Sequence, residues 1–253
     1  MLKRFLAASS MVSALALAGP AMAGTSVTYE LDGMAFEGYL AESTLEPKGL
    51  VIVIHDWDGL DSYEMTRAEM LADKGYDAFA VDLYGKGNRP ESIEARKEET
   101  GKLYSDRETM RARILAGLKA AQAETGLTRS VVMGYCFGGG ATLELARSGE
   151  GQDVVGYATF HGTLATPEGQ NYSEATAPIL ISHGGADSGI PLSDTTDLAG
   201  LLEEAGVPYE LEVYSGAPHA FTVFGSDRYR KLADEKSWSS FLTFIDRYLA
   251  QPE

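Results

Sequence analysis

One run of five aliphatic residues, Leu50-Val51-Ile52-Val53-Ile54, most constrains how this chain can fold. It shows no polar alternation, so as a strand it must be covered on both faces. It is rich in β-branched residues and too short for an ordinary helix. A sheet with helices on both sides satisfies it. The segments Tyr76–Val81, Ser130–Met133, Val154–Phe160, Pro178–Ser182 and Tyr209–Tyr214 read as further strands. Helices are predicted over Tyr63–Lys74, from Ser105 to Gly126, over Gly139–Arg147 and over Asp194–Ala205. A final long helix holds Leu232, Phe241, Ile245, Tyr248 and Leu249, with Tyr229 at its start. Asp61 with Glu64, and Ser105 with Glu108, have the spacing of capping boxes. Gly75, Gly126 and Gly206 stand where helices stop. Near the N-terminus, Ser26–Leu31 and Met34–Glu42 flank Asp32-Gly33, a hairpin signal. The expected class is α/β: a mainly parallel sheet with an N-terminal β-hairpin and helices on both faces.

Residues 1–23 are set apart from this pattern. Lys3 and Arg4 precede an apolar run from Phe5 to Ala18, Gly19-Pro20 breaks it, and Ala21-Met22-Ala23 is a small-x-small cleavage pattern. These are the three parts of a signal peptide in order. The apolar run falls short of the roughly 20 residues that span a bilayer. A bacterial periplasmic or secreted protein is expected, with residues 24–253 as one domain and no stable membrane anchor after cleavage. The 253 residues carry 21 basic and 37 acidic side chains, net −16. That balance argues against nucleic acid or an anionic membrane as the main partner. Oligomeric state is open. The chain has one cysteine, Cys136, so no disulfide framework exists.

In doubly covered parallel sheets, ligands sit beyond the carboxyl ends of the strands. After Ser130–Met133 comes Gly134-Tyr135-Cys136-Phe137-Gly138-Gly139-Gly140. This is G-x-nucleophile-x-G between a strand and a helix, with cysteine as nucleophile. The next helix turns its N-terminus toward the site, which favours a thiolate and a developing oxyanion. Such an elbow needs a carboxylate and then a histidine later in the chain. Asp187 follows the Pro178–Ser182 strand, and His219 follows Tyr209–Tyr214. His219 is the expected general base and acid, with Asp187 fixing its tautomer. Asp194 is the rival acid, but it stands where a helix N-cap is expected. Asp82 and Asp153 read as strand-end polar residues. His55, His161 and His183 each read singly as structural, and no H-E-x-x-H spacing points to a metal. The loop His55-Asp56-Trp57-Asp58-Gly59 follows the LVIVI strand. Backbone N–H groups of Trp57 and Phe137 are the candidate oxyanion donors.

Together the tracts VIVIHDWDG, VDLYGKG, GYCFGGG, HGGADSGIP and GAPHAF resemble the dienelactone hydrolase family of the α/β-hydrolase fold. The resemblance runs from about Gly38 into the C-terminal helix. It implies a Cys-His-Asp triad at Cys136, His219 and Asp187, and an acid in the oxyanion loop that switches the resting thiol. Asp56 stands at that position, where the family usually has Glu. The family also implies two arginines for a substrate carboxylate. Lys86, after Asp82-Leu83-Tyr84, falls at the first, and uncharged Val223 at the second; Arg228 lies farther along. Lys86 and Tyr84 are the candidate substrate-binding residues. Lys keeps the charge but loses the bidentate fork, which points away from dienelactone itself.

The expected activity is hydrolysis of an ester or lactone through an acyl-enzyme, with no metal or organic cofactor, and thioesters are a further substrate class open to the same chemistry. The alternative is an inactive α/β-hydrolase scaffold used as a binding module. A dithiol redox role lacks its resolving cysteine.

Overall fold

The structure, a computed structural model, describes residues 24–249, so the leader-like residues 1–23 lie outside the described residues. The hairpin forms as expected from β1 (Thr25–Leu31) and β2 (Met34–Ala41), with Asp32 and Gly33 at positive φ in the turn. Then follow β3 (Leu50–Ile54), α1 (Ser62–Ala72), β4 (Asp77–Val81), α2 (Ile93–Ser105), α3 (Arg107–Thr125) and β5 (Ser130–Tyr135). The chain continues through α4 (Phe137–Ser148), β6 (Val154–Phe160), β7 (Ile179–Gly184), α5 (Leu192–Ala205), β8 (Tyr209–Tyr214) and α6 (Lys231–Leu249). The strands form one sheet in the order β1-β2-β4-β3-β5-β6-β7-β8. From β4 to β8 all pairings are parallel, and the pairings made by the two hairpin strands are antiparallel. It is the mixed sheet of an α/β-hydrolase fold.

The LVIVI run lies between β4 and β5 in the middle of the sheet and is fully buried. Leu50, Ile52 and Ile54 face a core shared with α3, α4 and α5. Val51 and Val53 face a second core shared with α1 and α6. This is strand periodicity read out on both faces at once. Each fully buried aliphatic side chain stabilises the fold by about 1.5–3 kcal/mol. Among the described residues, no helix is long and apolar enough to cross a membrane.

Several expectations change. Helix α2 was not predicted: its sequence IEARKEETGKLYS buries only Leu103, so it carries no apolar stripe. The cap of α3 is Asp106, whose carboxylate accepts the Thr109 N–H at 3.0 Å, and Ser105 instead ends α2. Asp194 is not an N-cap either. Helix α5 starts earlier, after Pro191, and Asp194 sits in its first turn, where a negative charge is favourable. The elbow helix also starts two residues earlier than expected, at Phe137. Low helix propensity of its three glycines gives way there to a close backbone approach described below.

Candidate active site

Cys136 joins β5 directly to α4 with φ 50° and ψ −111°. A non-glycine residue in that region is strained, and the surroundings must hold it. The flanking glycines show how. A Cβ at Gly134 would lie under 3.0 Å from the Gly138 carbonyl oxygen. One at Gly138 would lie under 3.0 Å from the carbonyl oxygens of both Ile54 and His55. The Cys136 N–H donates to Phe160 O at 3.1 Å, pinning the turn to β6.

Three loops meet at the thiol. His219 Nε2 stands 3.1 Å from Cys136 Sγ, and His219 Nδ1 stands 2.7 Å from Asp187 Oδ2. The structure thus brings Cys136, His219 and Asp187 into one hydrogen-bonded line. The other Asp187 oxygen accepts N–H bonds from Gly189 at 2.8 Å and Ile190 at 2.9 Å. Burial alone would raise this carboxyl, but the bonds from His219, Ile190 and Gly189 outweigh it and hold Asp187 below the usual carboxylate range. The Asp187 carboxylate is therefore charged and its orientation fixed. With Nδ1 directed at the Asp187 carboxylate, Nε2 is the ring nitrogen turned toward the thiol.

The thiol itself is held protonated. Burial first, and the charges of Asp56 and Asp187 after it, push Cys136 up to about 12, with the Phe137 N–H offsetting part of this. Asp56 acts through space. Its carboxylate oxygen accepts the Asp58 N–H at 3.1 Å. Burial and the neighbouring Asp58 and Glu64 also push the Asp56 carboxyl well up. Asp56 therefore resists ionising on its own account, and any charge it carries disfavours the thiolate.

The loop from His55 to Gly59 is braced from several sides. Glu64 on α1, fully buried, accepts the Asp56 N–H at 3.2 Å and the Asp61 N–H at 3.3 Å. The buried Tyr84 donates its hydroxyl to Trp57 O at 3.1 Å, fixing the Trp57 peptide. Phe137 opens α4, so its N–H is one of the amides left without an intrahelical acceptor. His55 is structural. Its Nε2 accepts the Leu83 N–H at 3.1 Å while Nδ1 meets Asp56 O at 2.6 Å, and burial pushes it down to about 4.

The candidate substrate residues are placed differently. Lys86 is half exposed; it pairs with Glu37 at 2.8 Å and donates to Thr28 at 3.1 Å, both on the hairpin. Tyr84 is walled in by His55 and Phe137, with its hydroxyl engaged on Trp57. Val223 lies in the His219 loop, and Arg228 is exposed there. Asp82 is wholly buried and accepts the N–H groups of Tyr84, Gly85 and Glu37. Several residues near the site went unread in the sequence. Tyr104 and Arg96 come from the unpredicted α2: Tyr104 packs edge-on against Phe137, and Arg96 lies over the Trp57 ring and 3.5 Å from Asp58. Among the described residues, no three His, Cys, Asp or Glu side chains cluster as a metal site would need.

Comparison with known proteins decides the family. The model of the dienelactone hydrolase family matches residues 36–249. This chain belongs to the dienelactone hydrolase family. As a family member it is a hydrolase of the ester and lactone class. A Saccharolobus solfataricus protein named as a candidate carboxymethylenebutenolidase is 28% identical over 87% of this chain and 97% of its own length. A Bradyrhizobium protein, named a probable 2-oxo-3-(5-oxofuran-2-ylidene)propanoate lactonase, is 27% identical over 79% of this chain and 84% of its own. Among solved structures, the dienelactone hydrolase-like promiscuous phosphotriesterase P91 from metagenomic libraries shares the fold. Its TM-score is 0.81 at 24% identity, covering 89% of this chain and 98% of that one.

Proposed function

We propose that this chain hydrolyses esters or lactones by covalent catalysis through Cys136, His219 and Asp187. What supports this most is the unbroken line from Sγ through the imidazole to the Asp187 carboxylate. On substrate binding, His219 Nε2 takes the thiol proton and Sγ bonds to the carbonyl carbon. The resulting oxyanion accepts from the N–H groups of Trp57 and Phe137, each such donor being worth roughly 2.7–4 kcal/mol. Collapse breaks the C–O bond, and the imidazolium gives its proton to the leaving oxygen. In a lactone that hydroxyl stays tethered to the acyl group. His219 then deprotonates water, which attacks the thioester; the acid leaves and the thiol recovers its proton. The signal-like residues 1–23 support a second part of the reading, action after export to the periplasm or beyond.

The charge around the site points to neutral substrates. Lys86 is paired with Glu37, Arg89 with Asp82 at 3.4 Å, and Arg96 stands beside Asp58. Asp56, Asp58 and Asp187 all bear on the thiol. Neutral p-nitrophenyl esters and simple lactones are expected to exceed a carboxylate-bearing dienelactone in kcat/KM by about tenfold or more, the gap narrowing at high salt. Equal turnover, or a preference for the anion, overturns this. The assay is run on reduced enzyme beside Cys136→Ala.

The protonated thiol has a pH signature. A thiol raised from about 9 to about 12 holds its proton more tightly in the folded chain. Its contribution to stability is complete below pH 9 and is lost as pH rises toward 12. Alkylation of resting enzyme by iodoacetamide is expected to be on the order of 10²-fold slower than that of free cysteine at pH 8. The rate climbs with pH without levelling near the roughly 8.5 of a free cysteine. A plateau near neutrality would instead mark a resting thiolate.

A further inference from the structure

Against the ring of His219 lies a buried polar chain that the three catalytic side chains do not use. The His161 ring meets the His219 ring with centroids 5.3 Å apart and planes at 66°. His161 Nε2 stands 2.8 Å from Thr222 Oγ1. The same hydroxyl stands 2.7 Å from the Tyr63 hydroxyl. Arg67 Nε donates to Tyr63 at 3.3 Å, and Arg67 donates again to Thr222 O at 2.8 Å. Arg67 is itself paired with Asp234 of α6 and lies 4.2 Å from the Phe224 ring centroid. His161, Arg67, Thr222 and Asp234 are all buried. Four separate parts of the chain contribute: the residue after β6, the loop carrying His219, and helices α1 and α6.

The need for such a device is physical. His219 sits on a loop without regular secondary structure, and Ala220 beside it has φ 62°. Its ring must present Nε2 to sulfur and Nδ1 to Asp187 together. A displacement of about 1 Å at such a contact costs roughly 10²-fold in rate. His161 backs that ring, and its own backbone is held at φ 42°. Burial, and the neighbouring His219 after it, push the His161 imidazole well below the ordinary histidine range. It is therefore neutral and does not repel the imidazolium that His219 becomes.

We propose that Thr222 is a positioning residue for the general base: its hydroxyl ties His161 to Tyr63 and so locks the plane of the His219 ring. This rests on the catalytic reading of Cys136 and His219 given above. Thr222→Val keeps the shape and removes the hydroxyl, whereas Thr222→Ser keeps the hydroxyl and removes the methyl. With active sites counted by the burst of p-nitrophenol, Thr222→Val is expected to lose roughly 10- to 10²-fold in kcat, with KM within about twofold. Thr222→Ser is expected to stay within about threefold of the parent. Tyr63→Phe removes the other hydroxyl of the same bond and is expected to lower kcat too. It supplies the reading if Thr222→Val does not fold. In Thr222→Val with His161→Asn, the losses are expected to overlap rather than multiply, because both cut one chain.

Parental kcat per active site in Thr222→Val overturns the proposal. So does an equal loss in Thr222→Ser, which would assign the effect to packing of the methyl group. A rise in KM alone overturns it as well, because it would mean substrate contact. Each of these leaves the triad intact. Turnover that survives in Cys136→Ala overturns the triad reading and this proposal with it.

Discussion

Cys136→Ala is expected to abolish ester turnover, with kcat falling by roughly 10⁴- to 10⁶-fold. Sulfur is the atom that the imidazole faces, at 3.1 Å, and His219 has its other nitrogen committed to Asp187. Removing sulfur leaves the base with nothing to deprotonate but water. The remaining oxyanion donors and binding contacts then supply only a residual acceleration over solution. Cys136→Ser is expected to fall severely as well. A hydroxyl is far less acidic than a thiol, and the acids Asp56 and Asp187 disfavour any anion here. The measurement is steady-state hydrolysis of a p-nitrophenyl ester by protein verified as folded and reduced. Alanine protein retaining even a hundredth of parental kcat would refute covalent catalysis by this thiol.

The largest stability effect is expected at the elbow glycines. Gly138→Ala places a methyl under 3.0 Å from both Ile54 O and His55 O. Both atoms are backbone, at the end of the central β3, where no side chain can rotate away. Either β3 or the start of α4 must move, and the loop bearing Trp57 begins there. Overpacking in a well-filled core ordinarily costs about 1–3 kcal/mol, and a rigid backbone clash is expected to exceed about 4 kcal/mol. Gly101→Ala is the internal control. Gly101 lies within α2, where an added methyl would meet nothing within 4 Å, and the change is expected to stabilise by roughly 0.4–1 kcal/mol. Urea melts of both variants test the pair. A Gly138→Ala midpoint close to that of the parent would show that the elbow tolerates a side chain, contrary to its geometry.

Much of the site was legible because its signals are local. The LVIVI strand, the glycines around Cys136, and the places of Cys136, Asp187 and His219 just after strands are each marked by near neighbours in sequence. So is the Asp61–Glu64 capping box, which forms as its spacing predicts. A turn that only glycine can make, or an apolar run without alternation, leaves the chain little choice. Helix α2 was illegible for the opposite reason. Its residues are polar all round, and only packing against the rest of the molecule gives them a direction. With it went Tyr104 and Arg96.

Lys86 shows the same limit. Its place in the chain marked it as a candidate, but its ion-pair partner, Glu37, lies across the fold on β2 and could not be read from its neighbours. Glu64 had a local reason for its identity, as part of the cap, yet its second bond, from the Asp56 N–H, holds the loop after β3. His161 and Thr222 are 61 residues apart, and Arg67 and Thr222 are 155 apart. Periodicity and turn chemistry extend only a few residues along a chain, so they fix the strands and the elbow and mark Cys136, Asp187 and His219 as candidates. Contacts between distant segments form only when the sheet closes and its loops converge, and those contacts decide how these candidate side chains are held.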